Sequence, residues 1–223
     1  MSFKQFIKEI NGNRVEGELV HTFLYSLITG VLLFLVLFMF NRNAVSQYSI
    51  YIVLGIITYS LLTLTLRQVR AYKQFNCMTG MMIGMTAGMI AGFLPGYYVG
   101  ATNGMFVGGV FGMTVGILFG IWNGKCCGIM GIMEGTMAGF MGGWMGAMTS
   151  VMLLNDHLIL ATIIVSVISW ILMGMLNYMI YFEMNGNERQ HHESHGIGIV
   201  FTAILTILTE LIMVFGSRSA LFG

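Results

Sequence analysis

Long apolar runs separated by short polar connectors divide the chain into seven segments. Most of these runs approach or exceed the about 20 residues that an α-helix needs to cross the hydrocarbon core of a bilayer. The pattern therefore predicts an all-α fold, a polytopic membrane helix bundle with about seven transmembrane helices. The predicted helices are 20–40, 48–66, 77–94, 97–122, 126–153, 158–182 and 197–215.

The boundary between the third and fourth predicted helices rests on Pro95 and Gly96. Proline removes a backbone donor and commonly ends or kinks a helix. Two interpretations stay open for 77–122: two full spans, or one broken, re-entrant element whose irregular backbone is buried in protein.

Four zones follow from these segments. The first apolar run is too long for the core of a signal peptide and is expected to be a retained helix. The predicted zones are a cytoplasmic amphipathic arm (1–18), two transmembrane helices with a basic loop (19–76), a Gly/Met-rich three-helix core (77–153), and two transmembrane helices with a His-rich loop (154–223).

Glycine recurs at every fourth residue through the middle of the chain. It occupies 80, 84, 88, 92, 96, 100, 104, 108, 112, 116, 120, 124 and 128, and then 131, 135, 139 and 143. A spacing of four places these residues in one row along a helix. Rows of small residues let helix backbones approach closely, and in lipid this packing drives helix association. The sequence thus predicts a glycine-zipper core, or a seam between subunits.

Composition agrees with a membrane protein and excludes several classes. Only 9% of the residues are charged, and the mean hydropathy is +0.82. A net charge of +1 gives no indication of nucleic-acid binding. Nucleotide-binding and hydrolase signatures are absent from the sequence, so we expect neither an enzyme nor an organic cofactor.

The basic residues are distributed unequally between the two predicted sides of the membrane. Eight lie on one side and two on the other, which predicts a cytoplasmic N-terminus and an outside C-terminus in the cell membrane. The eight are Lys4, Lys8, Arg14, Arg67, Arg70, Lys73, Lys125 and Arg189; the two are Arg42 and Arg218.

Sulfur is concentrated in the same zone as glycine, because 14 of the 21 methionines lie within 77–153. In the fifth predicted helix they recur at steps of three and four, and the predicted cytoplasmic end of that helix carries two adjacent cysteines. Neutral thioethers and thiolates select soft ions, above all Cu(I), with Ag(I) as its mimic. The candidate sulfur ligands are Cys77, Met81, Met85, Cys126, Cys127, Met130, Met133, Met137, Met141, Met145 and Met148.

The repeat of methionine at every fourth residue from Met133 to Met145, beside the glycine rows, resembles the Ctr family of copper transporters. That resemblance implies a methionine-lined pore packed against a GxxxG helix, although Ctr proteins have three helices and form trimers. The Gly/Met-rich block is also similar to membrane segments associated with cupredoxin-type proteins of Gram-positive bacteria. The pair Cys126 and Cys127 is similar to the vicinal cysteines of mercury-resistance membrane transporters, which makes Hg(II) a rival cargo.

Polar residues add further candidates. His191, His192 and His195 cluster in a predicted cytoplasmic loop and suit copper or zinc. Glu134 lies within the methionine row and could balance a cation's charge or carry a coupled proton. Glu210 is expected to form an interfacial pair with Arg218 at the end of the last helix.

Three functions remain open at this level. The leading hypothesis is a membrane transporter or channel that passes a soft metal ion, most fittingly Cu(I), along thioethers to cytoplasmic cysteines. Its predicted partners are the lipid bilayer, the metal ion, a cytoplasmic metal acceptor and further copies of the chain in a homo-oligomer. The alternatives are a scaffold membrane protein assembled by glycine zippers, with methionine as a filler of gaps, and a glycine-lined channel for other solutes.

Overall fold

The fold is an all-α helix bundle, as the sequence predicts. The computed structural model describes residues 15–40, 42–71, 75–125, 128–183 and 195–216, and within these ranges it contains seven helices and no strand. The helices in chain order are α1 (Val15–Phe40), α2 (Arg42–Ala71), α3 (Cys77–Asn103), α4 (Met105–Gly124), α5 (Gly128–Met152), α6 (Leu158–Glu183) and α7 (His195–Phe215). The predicted arm at 1–18 falls almost entirely outside the described residues.

Five of the described helices are long and apolar enough to cross a bilayer. They comprise α3, α4 and α6 over their full lengths, with His21–Met39 of α1 and Tyr48–Arg70 of α2, while α7 contributes a shorter apolar stretch. Length and apolar composition thus make the chain a multi-pass membrane protein. The helix α5 is not among the five, since its apolar side chains are mostly methionine and it carries Glu134, whereas α4 combines a similar share of glycine with Val, Ile, Leu and Phe.

The turn between α3 and α4 is at Gly104, so the boundary predicted at Pro95 and Gly96 is wrong. Pro95 lies inside α3. Transmembrane helices tolerate proline because neighbouring helices and local adjustments can satisfy the backbone group that it leaves unpaired. Gly104 instead has φ 105° and ψ 169°, a conformation that is essentially restricted to glycine. The helices α3 and α4 are therefore two separate elements joined by a minimal turn, and the re-entrant alternative does not apply.

The glycine rows of α3, α4 and α5 meet in layers, and each layer takes one small residue from each helix. A Cβ atom placed on Gly88 would lie 2.7 Å from the carbonyl oxygen of Gly135 and 3.1 Å from the Cα of Gly120. The five layers are Gly84 with Gly124 and Gly131, Gly88 with Gly120 and Gly135, Gly92 with Gly116 and Gly139, Gly96 with Gly112 and Gly143, and Gly100 with Gly108 and Ala147.

These layers close the centre of the three-helix unit. Since the three backbones touch at successive turns, α3, α4 and α5 leave no passage along their common axis. This close packing supplies the dispersion contacts that hold helices together in lipid, with weak Cα–H···O contacts added. The glycine rows of the three helices thus pack against one another, and a glycine-lined channel along this axis has no room.

The remaining helices pack around one side of this core. The helix α2 lies against α1, α3, α6 and α7, and α7 also contacts α1 and α3. At one end of the bundle the Arg70 guanidinium lies 4.5 Å from the centre of the Trp122 ring, which places the C-terminal ends of α2 and α4 together. The helix α5 packs extensively only against α3 and α4. Its opposite side is therefore left uncovered by the other described helices.

Candidate functional site

The methionines of α5 form a continuous outward surface, which we call the sulfur face. Residues two apart on an α-helix point about 200° away from each other. From Met133 to Met145, each methionine stands two residues from a glycine that faces α3 and α4, so burial of the glycine row turns these thioethers outward. The sulfur face comprises Met130, Met133, Met137, Met141, Met145, Met148 and Met152, all of them exposed.

The sequence predicts one row of sulfur atoms along this helix, and the structure turns that row outward. Met137 is 67% exposed and Met141 is 59% exposed, whereas Gly139 between them is buried against α4. A path for an ion along these thioethers cannot lie inside a single described bundle. It can lie only at a surface that another molecule covers.

The sulfur face differs in composition from the outward surfaces of α1 and α6. Seven of the nine large apolar side chains exposed on α5 are methionine. The exposed surfaces of α1 and α6 are instead mostly Leu, Ile and Val, for example Leu32 on α1 and Ile164 and Ile168 on α6. The surfaces of α1 and α6 therefore show that an exposed apolar surface of this protein does not require methionine.

Glu134 lies on the exposed side of α5 next to Met133 and Met137. An ionisable side chain that faces acyl chains is costly and usually faces a protein interior or water instead. Its position within the sulfur face is a second feature that sets this surface apart from the surfaces of α1 and α6.

A second group of thioethers lies where α3 approaches α6. Met82, Met85 and Met89 of α3 are exposed and line a groove of about 1000 Å³ together with Met175 and Met179 of α6. Met81, which the sequence also nominated, is half-buried. The groove is almost wholly apolar, with only Thr86 and Tyr178 contributing hydroxyl groups.

The other predicted ligands are only partly placed. Cys77 begins α3 and is exposed, at the end of the same helix that carries the groove methionines. Cys126, Cys127, His191 and His192 lie outside the described residues, and so does the side chain of His195 at the start of α7. In the described ranges, no three side chains of His, Cys, Asp or Glu stand close enough together to hold a metal ion. Among the candidate ligands that the structure places, the donors are the methionine thioethers and the thiol of Cys77 at the start of α3.

One carboxyl group, that of Glu210, is buried inside the bundle. Glu210 is only 3% exposed, and both of its carboxyl oxygens lack a hydrogen-bond partner in the part of the chain that the structure describes. Glu210 faces α2 and α3, and the pair predicted with Arg218 stays a prediction because Arg218 lies outside the described residues. The spacing of Thr202, Thr206 and Glu210 at every fourth residue was the available signal of an inward polar side.

A polar cluster between α2, α3 and α6 was also missed. The Tyr98 hydroxyl lies 2.9 Å from Ser166 Oγ and 3.3 Å from Thr58 Oγ1, and the Trp170 indole nitrogen donates to Thr58 Oγ1 at 3.3 Å. Thr162 donates to the Tyr97 hydroxyl at 3.3 Å. Hydrogen bonds of this kind join membrane helices, so the cluster fixes α6 to the bundle.

Comparison with protein family models, with curated proteins and with solved structures finds no match to the chain.

Proposed function

We propose that the protein is a membrane transporter or channel for a soft metal ion, with Cu(I) as the cargo that its ligands fit best, and that the path runs between copies of the chain. The observation that carries this proposal is the outward sulfur face of α5. Another copy of the chain would cover this face and bring two or more rows of thioethers together. The aliphatic surfaces of α1 and α6 offer no such ligands.

The chemistry of the face suits passage as well as binding. Thioether sulfur is soft and neutral, so it favours Cu(I) over Na⁺, K⁺ or Mg²⁺ without adding a charge that would trap the ion. Steps of three and four residues place successive sulfur atoms about 4.5–6 Å apart along the helix axis. Conduction requires such neighbouring sites, each of moderate strength. Glu134, near one end of the face, would attract the cation.

The distribution of basic residues and the positions of the thiols support an orientation of the chain and a direction of transport toward the cytoplasm. Arg67, Arg70 and Lys125 stand at one end of the bundle, which we take as the cytoplasmic end by the positive-inside rule. Cys77 lies at this end, and Cys126 and Cys127 follow Lys125 in the chain. Thiolates bind Cu(I) more tightly than thioethers and would transfer it to a cytoplasmic acceptor. The N-terminus is then cytoplasmic and the C-terminus outside.

A second candidate function is favoured by a different observation, the closed glycine layers of α3, α4 and α5. Those layers suit a structural protein whose helices assemble rigidly in the membrane, with methionine as an adaptable apolar side chain on its surface. The two functions differ in one respect that can be measured: the scaffold carries no metal.

Uptake of Cu(I) into lipid vesicles tests the proposal. Vesicles that contain the purified chain should accumulate Cu(I) faster than protein-free vesicles of the same lipid, and Ag(I) should compete because it has the same ligand preference. Potassium flux in the same vesicles is the control for leakage and should not increase. Equal Cu(I) uptake with and without the protein would leave the scaffold function as the better account.

A further inference from the structure

The interior of the bundle holds a second candidate site, which is buried and built from oxygen-bearing side chains instead of thioethers. Glu210 of α7 lines a small cavity of about 10 Å³, close to the space that one water molecule needs. Tyr51 and Tyr59 of α2 and Tyr98 of α3 form much of its wall. Thr206 and Thr209 on α7 complete its polar lining.

No described side chain neutralises the charge that an ionised Glu210 would carry. The cavity lining includes no Lys, Arg or His. The titratable groups that face the carboxyl group are the three tyrosine phenols: Tyr51 and Tyr59 from α2 and Tyr98 from α3. The helix α1, which also packs against α7, contributes no described residue to the cavity.

The neighbouring hydroxyl groups on α7 already donate hydrogen bonds to backbone carbonyl oxygens. Thr206 donates to the backbone carbonyl oxygens of Thr202 and Ala203 at 2.9 and 3.0 Å. Thr209 donates to those of Leu205 and Thr206 at 2.7 and 2.9 Å. A hydroxyl has one hydrogen to donate, so neither threonine can solvate a carboxylate at the same time.

A buried carboxyl group that has neither a cationic partner nor a hydrogen bond must hold either a proton or a cation. The cavity accommodates one water-sized particle, and its described oxygens belong to one carboxyl group and to hydroxyls. A metal cation of the alkali or alkaline-earth group takes about six or more oxygen ligands, which this space does not provide. A proton needs no such shell.

We propose that Glu210 is a proton-binding site, which takes up and releases one proton within the membrane through the cavity between α2, α3 and α7. The Tyr98 hydroxyl in the cavity wall also lies within hydrogen-bonding distance of Thr58 Oγ1 (3.3 Å) and Ser166 Oγ (2.9 Å), which connects the site to α6. The site gives the chain a means of coupling a proton to a conformational step. It does not depend on metal binding at the sulfur face.

Infrared difference spectroscopy of the full chain in lipid vesicles tests this site. The parent should show the C=O stretching band of a protonated carboxyl group, and this band should decrease as the pH is raised. Glu210→Gln should lose the band completely while retaining its helical circular dichroism. Asp156→Asn is the matched control because Asp156 is exposed in the turn between α5 and α6, and it should keep the band.

Two results would overturn the proposal. One is a set of pH difference spectra that are the same in the parent and in Glu210→Gln. The other is loss of the band in the parent on addition of Na⁺ at constant pH, which would identify a metal cation as the ligand. Should Glu210→Gln fail to fold, Glu210→Asp keeps a carboxyl group at the site, and a band at shifted frequency is expected; an unshifted band counts against the assignment.

Discussion

Replacement of Gly116 by alanine is expected to destabilise the folded chain by about 2 kcal/mol, within the range that overpacking of a tight core produces. The new Cβ would lie 2.7 Å from the Cα of Gly92 and 2.8 Å from the carbonyl oxygen of Gly139. Both atoms belong to backbone, so they cannot rotate away. The helices α3 and α5 must both move outward, and the neighbouring layers lose contact as well.

The matched control for this variant is Gly174→Ala. Gly174 is an exposed helical glycine of α6 around which a Cβ meets no atom within 4 Å. Alanine there should stabilise the helix by about 0.5–1 kcal/mol, because glycine is the poorer helix former. The free energy of unfolding in a mild detergent measures both. If the two variants differ by less than the measurement error, the glycine layers do not hold the three helices together.

Replacement of Met137, Met141 and Met145 by leucine is expected to lower Cu(I) uptake by about tenfold or more, which corresponds to about 1.4 kcal/mol of lost ligand free energy. Leucine has nearly the volume of methionine but no donor atom, and exchanges between the two usually cost less than about 1.5 kcal/mol even in cores. All three side chains are exposed within one chain. The free energy of unfolding should therefore be unchanged.

Met105→Leu combined with Met113→Leu is the control for loss of sulfur in general. Both residues lie on α4, which contacts α5 through its glycines and not through the sulfur face. This double variant should transport as well as the parent. Undiminished uptake by the triple variant would remove thioether chemistry from the function of α5, and methionine would then be a surface filler.

The sequence predicted the helices well because apolar periodicity and length are local properties of a membrane segment. It also predicted that the glycine rows pack against each other. The turn at Gly104 was missed although Asn-Gly is a turn signal, since Pro95 is the stronger helix breaker in soluble proteins. In the bundle, α3 continues through Pro95, and so does the spacing of glycine at every fourth residue.

The outward orientation of the sulfur face could have been predicted from the sequence. Glycine at 139 and methionine at 137 and 141 cannot face the same neighbour, because two helical residues span about 200°. A glycine row gains packing energy only where a backbone approaches it. If the glycines face the neighbouring helices, the methionines must therefore face outward, and the spacing of the two residue types is enough to predict this.

The residues that surround Glu210 could not be predicted from the sequence. Its burial depends on which helices surround α7, and that arrangement arises from contacts between distant parts of the chain. The polar residues at Thr202 and Thr206 indicate an inward side of α7. They do not indicate that Tyr59 and Tyr98 stand opposite, or that basic residues are absent from the cavity lining.

Every part of the metal proposal requires that the sulfur face lie between copies of the chain. Cross-linking of single cysteines tests this requirement directly. The native Cys77, Cys126 and Cys127 are first replaced by serine, and one cysteine is then introduced at Met141 on α5. Its counterpart is Ile168→Cys, which is equally outward on α6, where the wild-type residue is 53% exposed.

After oxidation or treatment with a short bifunctional thiol reagent in lipid vesicles, Met141→Cys is expected to give covalent dimers of the chain, since cysteines join only when their Cα atoms come within about 7 Å or the reach of the reagent. Ile168→Cys should remain almost wholly monomeric under the same conditions. Equal dimer yields from the two positions, or no dimer from Met141→Cys at any protein density, would contradict a metal path between chains.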